Sequence, residues 1–314
     1  MKFCPYFLLI SGTGIQVRIL RMRIRRLPAI IAGVLVLLGL CLGGYALYDR
    51  GRPAPVPAKQ ELYEGVTYRR FVRYLPRPMI AHVLTVDTRV KGIEFLVTPP
   101  DSDGEQPLKA RTTSQFLEES GVQVAINGDK FEPWWSNSPV DYYPHAGDPV
   151  APVGFSASNG QVYWMGDLEE VGVEPTLYIN RRNGLSFNHR PNRVHHALSG
   201  DLMIVLKGRA APGLDGRERE PRTALGINRN GRYLYMIVVD GRQPFYSDGA
   251  TFAELADLLI EQGAFMAMSL DGGGSSTLVV EGEDGAPRIL NSPIDQYIPG
   301  RERPVGNHLG IYVR

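Results

Sequence analysis

The chain has 314 residues, and 34 Lys+Arg against 33 Asp+Glu leave a net charge of +1. Residues 1–50 hold Lys2, Arg18, Arg21, Arg23, Arg25, Arg26 and Arg50 against Asp49, so the head is net +6 and residues 51–314 are net −5; a body of that sign excludes binding of nucleic acid through a broad basic surface. Hydrophobic content of 43% with 21% charged residues excludes a disordered chain, and with Cys4 and Cys41 both in the head the body has no disulfide and no thiolate metal site.

From Leu27 to Tyr48 no residue is charged. As a helix this stretch spans about 33 Å, enough for a hydrocarbon core of about 30 Å. A cleaved signal peptide is the competing reading, but its apolar region is shorter, about 7–15 residues. The stretch therefore reads as a transmembrane anchor. Arg18, Arg21, Arg23, Arg25 and Arg26 outweigh Arg50, Arg52 and Lys59 on the other flank. Residues 1–26 are thus expected in the cytoplasm, with the body periplasmic or extracellular. Residues 1–21 show little structural pattern, and Met22 competes with Met1 as the start. Residues 49–60 read as a linker, stiffened by Pro53, Pro55 and Pro57, and residues 61–314 as one domain.

The body alternates β-rich runs with turn residues. His82–Val86, Gly92–Val97 and Val122–Ile126 read as strands, and Asn159-Gly160, Asn183-Gly184 and Asn230-Gly231 as hairpin turns. Two helices are predicted. One covers about residues 112–120, with Phe116 and Leu117 inward. The other runs from Thr251 to Gln262, capped by a Thr251/Glu254 box and stopped by Gly263. The fold class expected is α+β: a single mixed, mainly antiparallel β domain with few helices, preceded by an N-terminal transmembrane helix.

Four segments carry the candidate chemistry. In Phe265–Val280 an apolar strand delivers Asp271, then Gly272, Gly273 and Gly274 allow close backbone approach to a ligand, and Ser275 and Ser276 follow. Successive amides there can form an anion-binding nest. With no Lys after the glycines it is not a P-loop, and with no Ser between glycines it is not a nucleophile elbow. Tyr235–Gln243 is a second strand ending in Asp240-Gly241-Arg242; Asp240 is a catalytic candidate or an ordinary turn residue. Ser247 and Gly249 then lead into the capped helix, whose N-terminus suits phosphate. Third is Asn127-Gly128-Asp129-Lys130, which meets a sugar or phosphate or simply turns. Fourth is Arg303-Pro304-Val305-Gly306-Asn307, where Arg303 clamps phosphate or is a solvated charge. His189, His195 and His196 lack a third ligand at recognisable spacing, so neither metal nor cofactor is expected.

The order Asn127-Gly128, Pro221–Gly226, Val239–Arg242, Ser247-x-Gly249-x-Thr251, Leu270-Asp271-Gly272-Gly273-Gly274-Ser275-Ser276-Thr277 and Arg303-Pro304-Val305-x-Asn307 resembles the phosphodiester glycosidase family over roughly residues 80–314. That family includes the enzyme that uncovers mannose 6-phosphate and many bacterial exopolysaccharide-associated proteins. The chain departs from the family pattern after Gly128, where Asp129-Lys130-Phe131 replaces a small residue and an aromatic pair. The Glu132–Asp148 stretch, with Trp134, Trp135, Tyr142 and Tyr143, is particular to this chain; its aromatics stack on sugar rings or pack a long loop.

The resemblance implies hydrolysis of a sugar-1-phosphodiester at the anomeric carbon, on an envelope or extracellular polysaccharide. Departing phosphate is already anionic and needs electrostatic help, for which Arg222, Arg242 and Arg303 are candidates. An oxocarbenium-like transition state wants a carboxylate, with Asp271 and Asp240 first and Asp129 less suited. Asn127, Asp129, Ser247, Ser275, Ser276 and Asn307 are expected to bind substrate oxygens. The alternative is a non-catalytic, membrane-tethered polysaccharide-binding module, which needs no paired carboxylates. A nuclease or phosphodiesterase would want a metal cluster that the spacing does not provide.

Overall fold

The computed structural model describes residues 16–53, 55–101, 105–138, 141–166 and 174–314. The chain divides into two compact units, Met1–Pro53 and Ala54–Arg314. The first is a helix, Gln16–Gly51, with Pro28 inside it. Its Pro28–Tyr48 segment has a mean hydropathy of 2.4 and is long and apolar enough to cross a membrane; a signal sequence meets the same criterion. The helix starts earlier than the composition suggested. Gln16–Arg21, read as weakly structured, are helical, and only residues 1–15 of that stretch lie outside the described residues.

In the second unit every pairing between the named strands is antiparallel. An eight-stranded sheet runs from edge to edge as Ala58–Tyr63, Val66–Arg73, Met79–Asp87, Tyr233–Val239, Arg222–Ile227, Met266–Ser269, Leu202–Leu206 and Arg209–Ala210. A five-stranded sheet holds Pro287–Ile289, Leu278–Glu281, Val124–Asn127, His308–Val313 and Ile93–Val97. Another five-stranded sheet is built from Gln161–Trp164, Ser156–Ser158, His196–Ser199, Thr176–Ile179 and Leu185–Phe187. The first strand begins at Ala58, inside the stretch read as linker.

Side-chain alternation explains how the layers stack. In Tyr233–Val239 the residues Leu234, Met236 and Val238 enter the main core, which Val124, Ile126, Leu278, Leu309 and Ile311 of the second sheet fill from the other side. Tyr235, Ile237 and Val239 face the opposite way, against Leu255, Ala256, Leu258 and Leu259 of the helix Phe252–Gln262. Each such leucine contributes about 1.5–3 kcal/mol by leaving water. The helix Thr113–Ser120 covers the outer face of the second sheet through Phe116 and Leu117. Strands buried on both faces are near-continuous apolar runs, which is why these stood out in the sequence. The predicted Thr251/Glu254 box is formed, a second box joins Thr112 and Gln115 at the other helix, and Gly121 and Gly263 close the two helices in the left-handed conformation. All three Asn-Gly pairs join antiparallel partners; Asn159-Gly160 makes a two-residue turn with both φ values positive.

Candidate active site

Register carries the candidate residues to one end of the large sheet. Arg222 pairs with Val239, and Ala224 with Ser269. Thus Arg222, the Asp240–Arg242 corner and Leu270-Asp271 emerge together. From the second sheet, Asn127 pairs with His308, and Ile126 with Leu278. This brings Gly128, Thr277 and Asn307 to the same place. The Asp271 amide donates to the Gly128 carbonyl (3.1 Å), joining the two sheets where the loops meet.

Between these loops opens a cleft of about 1090 Å³ whose walls include Asp271, Gly272, Gly273, Arg222, Arg242 and Arg303. Asp271 is half-buried, and burial raises its carboxyl above the usual carboxylate range. The Ser275 hydroxyl, Arg303, Lys130 and the Gly272 amide all pull it back down. Arg303 is aimed by Asp295, whose Oδ1 accepts from Nε at 2.8 Å; its Nη1 donates to Ser275 Oγ at 3.4 Å, and its guanidinium lies 5.1 Å from the Trp134 ring. Arg242, in the left-handed conformation at φ 56°, pairs with Glu220 and lies 5.3 Å from the Tyr297 ring. Arg222 donates to the carbonyls of Ala250 (3.1 Å) and Glu218 (3.2 Å) and stacks on Phe252 at 3.9 Å.

The other predicted residues are buried and do not line the cleft. Asn127 is a brace: its Nδ2 donates to the Asp271 carbonyl (2.8 Å), and its Oδ1 accepts from Thr223 Oγ1 (2.9 Å) and the Thr277 amide (3.1 Å). Asn307 Oδ1 takes the Asp129 amide (2.8 Å). Ser247 joins strands, accepting from the Ile80 amide (3.1 Å) and donating to the Asp240 carbonyl (2.6 Å). Asp129, 1% exposed, accepts from the amides of Lys130 and Gly154 (both 2.8 Å) and from Ser199 Oγ (2.5 Å). Burial pushes it up to about 6 against those donors, and the charge of Asp271 adds to the rise.

Asp240 does not join Asp271 on the cleft wall. It is 1% exposed, with His82 Nε2 at 3.0 Å from Oδ2, and the Ser292 amide (2.7 Å) and Asn291 Nδ2 (3.2 Å) on Oδ1. His82 Nδ1 in turn lies 2.8 Å from the Tyr68 hydroxyl. Asn291 also donates to the Ser276 carbonyl (3.0 Å), so Asp240 ties the strand ends to the glycine loop.

Nor do the amides after Asp271 form an open anion nest. Those of Gly273, Ser275 and Ser276 donate to the carbonyls of Pro221, Gly272 and Gly273. The helix N-terminus expected to suit phosphate is filled by its own Thr251/Glu254 box. The guanidinium groups of Arg222, Arg242 and Arg303 are the positive charges of this part of the cleft wall. The glycines serve packing: Gly273 has φ 61°, and a Cβ on Gly274 would lie 2.5 Å from Arg303 Nη2 and 2.8 Å from Asp295 Oδ1. Gly274→Ala is expected to displace the Arg303 tip and lower kcat/KM about 100-fold, since a misplacement of about 1 Å costs that much. Steady-state kinetics beside a melting curve checks that the loss is not unfolding.

Lys130, of the third segment, lines the cleft and pairs with Asp201, while Glu218, Glu220, Gln296 and Tyr297 line it from outside the four candidate segments. Of Trp134, Trp135, Tyr142 and Tyr143, Trp134 lines the cleft, beside Glu132, Pro133 and Ser136; Trp135 stacks on Tyr143 at 4.4 Å, and Tyr142 lies under Arg301 at 4.7 Å.

A phosphodiester glycosidase family model matches residues 120–312, a span that contains every candidate site residue. The chain belongs to the phosphodiester glycosidase family. Its fold is similar to that of the catalytic domain of zebrafish N-acetylglucosamine-1-phosphodiester alpha-N-acetylglucosaminidase, auto-inhibited by its pro-peptide. The TM-score is 0.58 over 83% of this chain and 85% of that one, at 20% identity. A hypothetical protein from Synechocystis matches at TM-score 0.51 over 83% and 64%, with 16% identity. The prophage-derived uncharacterized protein YomE of Bacillus subtilis is 42% identical over 65 residues, 21% of this chain and only 10% of that protein's length. At such identities the structural likenesses establish fold, and the family match rests on the shared sequence pattern.

Proposed function

We propose that this phosphodiester glycosidase family member hydrolyses a sugar-1-phosphodiester, with Asp271 as the carboxylate acting at the anomeric carbon. The observation that carries this reading is the placement of Asp271 in one cleft with Arg222, Arg242 and Arg303. Water supplies the oxygen, the bond from C1 to the bridging oxygen breaks, and that oxygen departs with the phosphate as a monoester. The leaving phosphate needs little protonation, and guanidinium groups in a sheltered cleft stabilise its growing charge. Asp271 faces the oxocarbenium-like centre as nucleophile or as base for water. Trp134 and Tyr297, on the rim over Arg303 and Arg242, suit stacking on a sugar ring. Asn127, Asp129, Asp240, Ser247 and Asn307 act by positioning.

In this account residues 1–26 are cytoplasmic, residues 27–48 anchor the chain in the inner membrane, the Pro-rich linker follows, and the remaining domain works outside on envelope or extracellular polysaccharide. Support comes from the apolar segment and the arginines before it. Enclosure of Asp240 favours the second reading, a polysaccharide-binding module, because it removes the expected partner carboxylate from the cleft.

A panel of sugar-1-phosphodiesters incubated with the soluble body, with products and their anomers read by NMR, tests the reading. The glycosidase account expects free sugar and phosphomonoester from at least one member; a binding module yields neither. The pH profile gives a further check. Asp271 must be ionised to act, so activity falls as pH drops through its raised pKa, placing the acid limb above the ordinary carboxylate range. Arg303 lowers that pKa. Arg303→Gln is therefore expected to move the acid limb to higher pH, besides reducing kcat; an unmoved limb would separate Arg303 from Asp271.

A further inference from the structure

The edge hairpin that opens the body carries a feature unrelated to the cleft. Residues 51–80 are net +4, whereas residues 81–314 are net −9. On this hairpin Lys59 lies directly opposite Arg69 in the antiparallel register. Like charges so placed destabilise a strand pair, and among the described residues no carboxylate pairs with either, or with Arg70. The three line, with Phe71 and Arg73, a groove of about 460 Å³ at the edge of the large sheet. Arg73 is shared with Glu261 at 3.0 Å, and nearby Arg77 with Glu254 at 2.5 Å. A like-charge pair kept without an internal counter-ion points to an anion outside the chain.

Apolar exposure adjoins this charge. Leu75 is 87% exposed and Tyr74 57%, at the turn leaving the Val66–Arg73 strand. The end of the linker lies on the same feature: Tyr74 donates its hydroxyl to the Pro55 carbonyl (3.0 Å), Arg70 Nε donates to the Val56 carbonyl (2.7 Å), and Val56 is 61% exposed. A basic groove beside an exposed Tyr-Leu turn matches a bilayer surface, where headgroup charge lies next to acyl chain. A soluble polyanion would use the charge and leave the turn idle.

We infer that the Lys59/Arg69 pair and the Tyr74-Leu75 turn form a docking face for the anionic headgroups and interface of a phospholipid bilayer. This face holds the body against the membrane that its helix enters, and it goes beyond the glycosidase reading without resting on it.

The five core clusters lie wholly within the body, so residues 54–314 fold as a unit and separate docking from helix insertion. Sedimentation with vesicles of phosphatidylcholine alone, and of an equimolar mixture with phosphatidylglycerol, tests the face. Binding is expected to the anionic vesicles and to be lost in high salt. Lys59→Gln with Arg69→Gln is expected to weaken it roughly 30-fold, and Leu75→Ser about tenfold. All three side chains are exposed, so melting curves should not move, and turnover of a soluble substrate should match the parent's. Equal binding to both vesicle types, unaltered binding by the variants, or variant-sensitive binding to a soluble anionic polysaccharide without vesicle binding would overturn the proposal. None of these outcomes bears on whether the cleft hydrolyses phosphodiesters.

Discussion

Asp271→Asn is expected to lower turnover of a sugar-1-phosphodiester by about 10³–10⁴-fold, the upper part of the usual range for a positioned acid–base group, without loss of stability. The amide keeps the shape of the carboxylate but can neither attack the anomeric carbon nor take a proton from water. Stability should hold because burial has already raised the Asp271 pKa: the ionised form is disfavoured in the fold, so removing the charge at neutral pH costs nothing on that account. Kinetics and urea unfolding on the same preparation check both halves. A variant that is inactive because it unfolds would not support a chemical role.

Asp240→Ala is expected to do the reverse. It leaves the Ser292 amide, Asn291 Nδ2 and His82 Nε2 without their acceptor in an interior where the residue is 1% exposed. Each buried donor left without its acceptor costs about 1–3 kcal/mol, so losing the acceptor of three takes a large share of a typical total of about 5–15 kcal/mol. Urea unfolding should show this loss. Turnover per folded molecule should fall far less than in Asp271→Asn, through Arg242 and the glycine loop that this corner holds. Unchanged stability with abolished turnover would return Asp240 to the reaction.

The two aspartates show what the sequence could and could not reveal. Both end an apolar strand and precede glycine, so local pattern gives them equal standing. What separates them is a pair of long-range contacts. His82 stands on a neighbouring strand and Ser292 in a loop remote in sequence, and together they close over Asp240. Asp271, at the end of the Met266–Ser269 strand, keeps a face on the cleft. Asn127 and Asn307 carry the same ambiguity: both are buried and hydrogen-bonded within the fold, and motif order does not tell a brace from a ligand. Periodicity and capping gave the helices and main strands, because strands buried on both faces and capping boxes are local signals. Glu220 and Asp295 were not legible, because their ion pairs with Arg242 and Arg303 depend on how the loops meet.

The most direct measurement of the central claim is hydrolysis of a sugar-1-phosphodiester in water enriched in oxygen-18, with the label located by mass spectrometry. Cleavage at the anomeric carbon places the heavy oxygen in the released sugar and leaves the phosphomonoester unlabelled, and Asp271→Asn forms neither product at a comparable rate. Label in the phosphate would mean attack at phosphorus and would contradict the account.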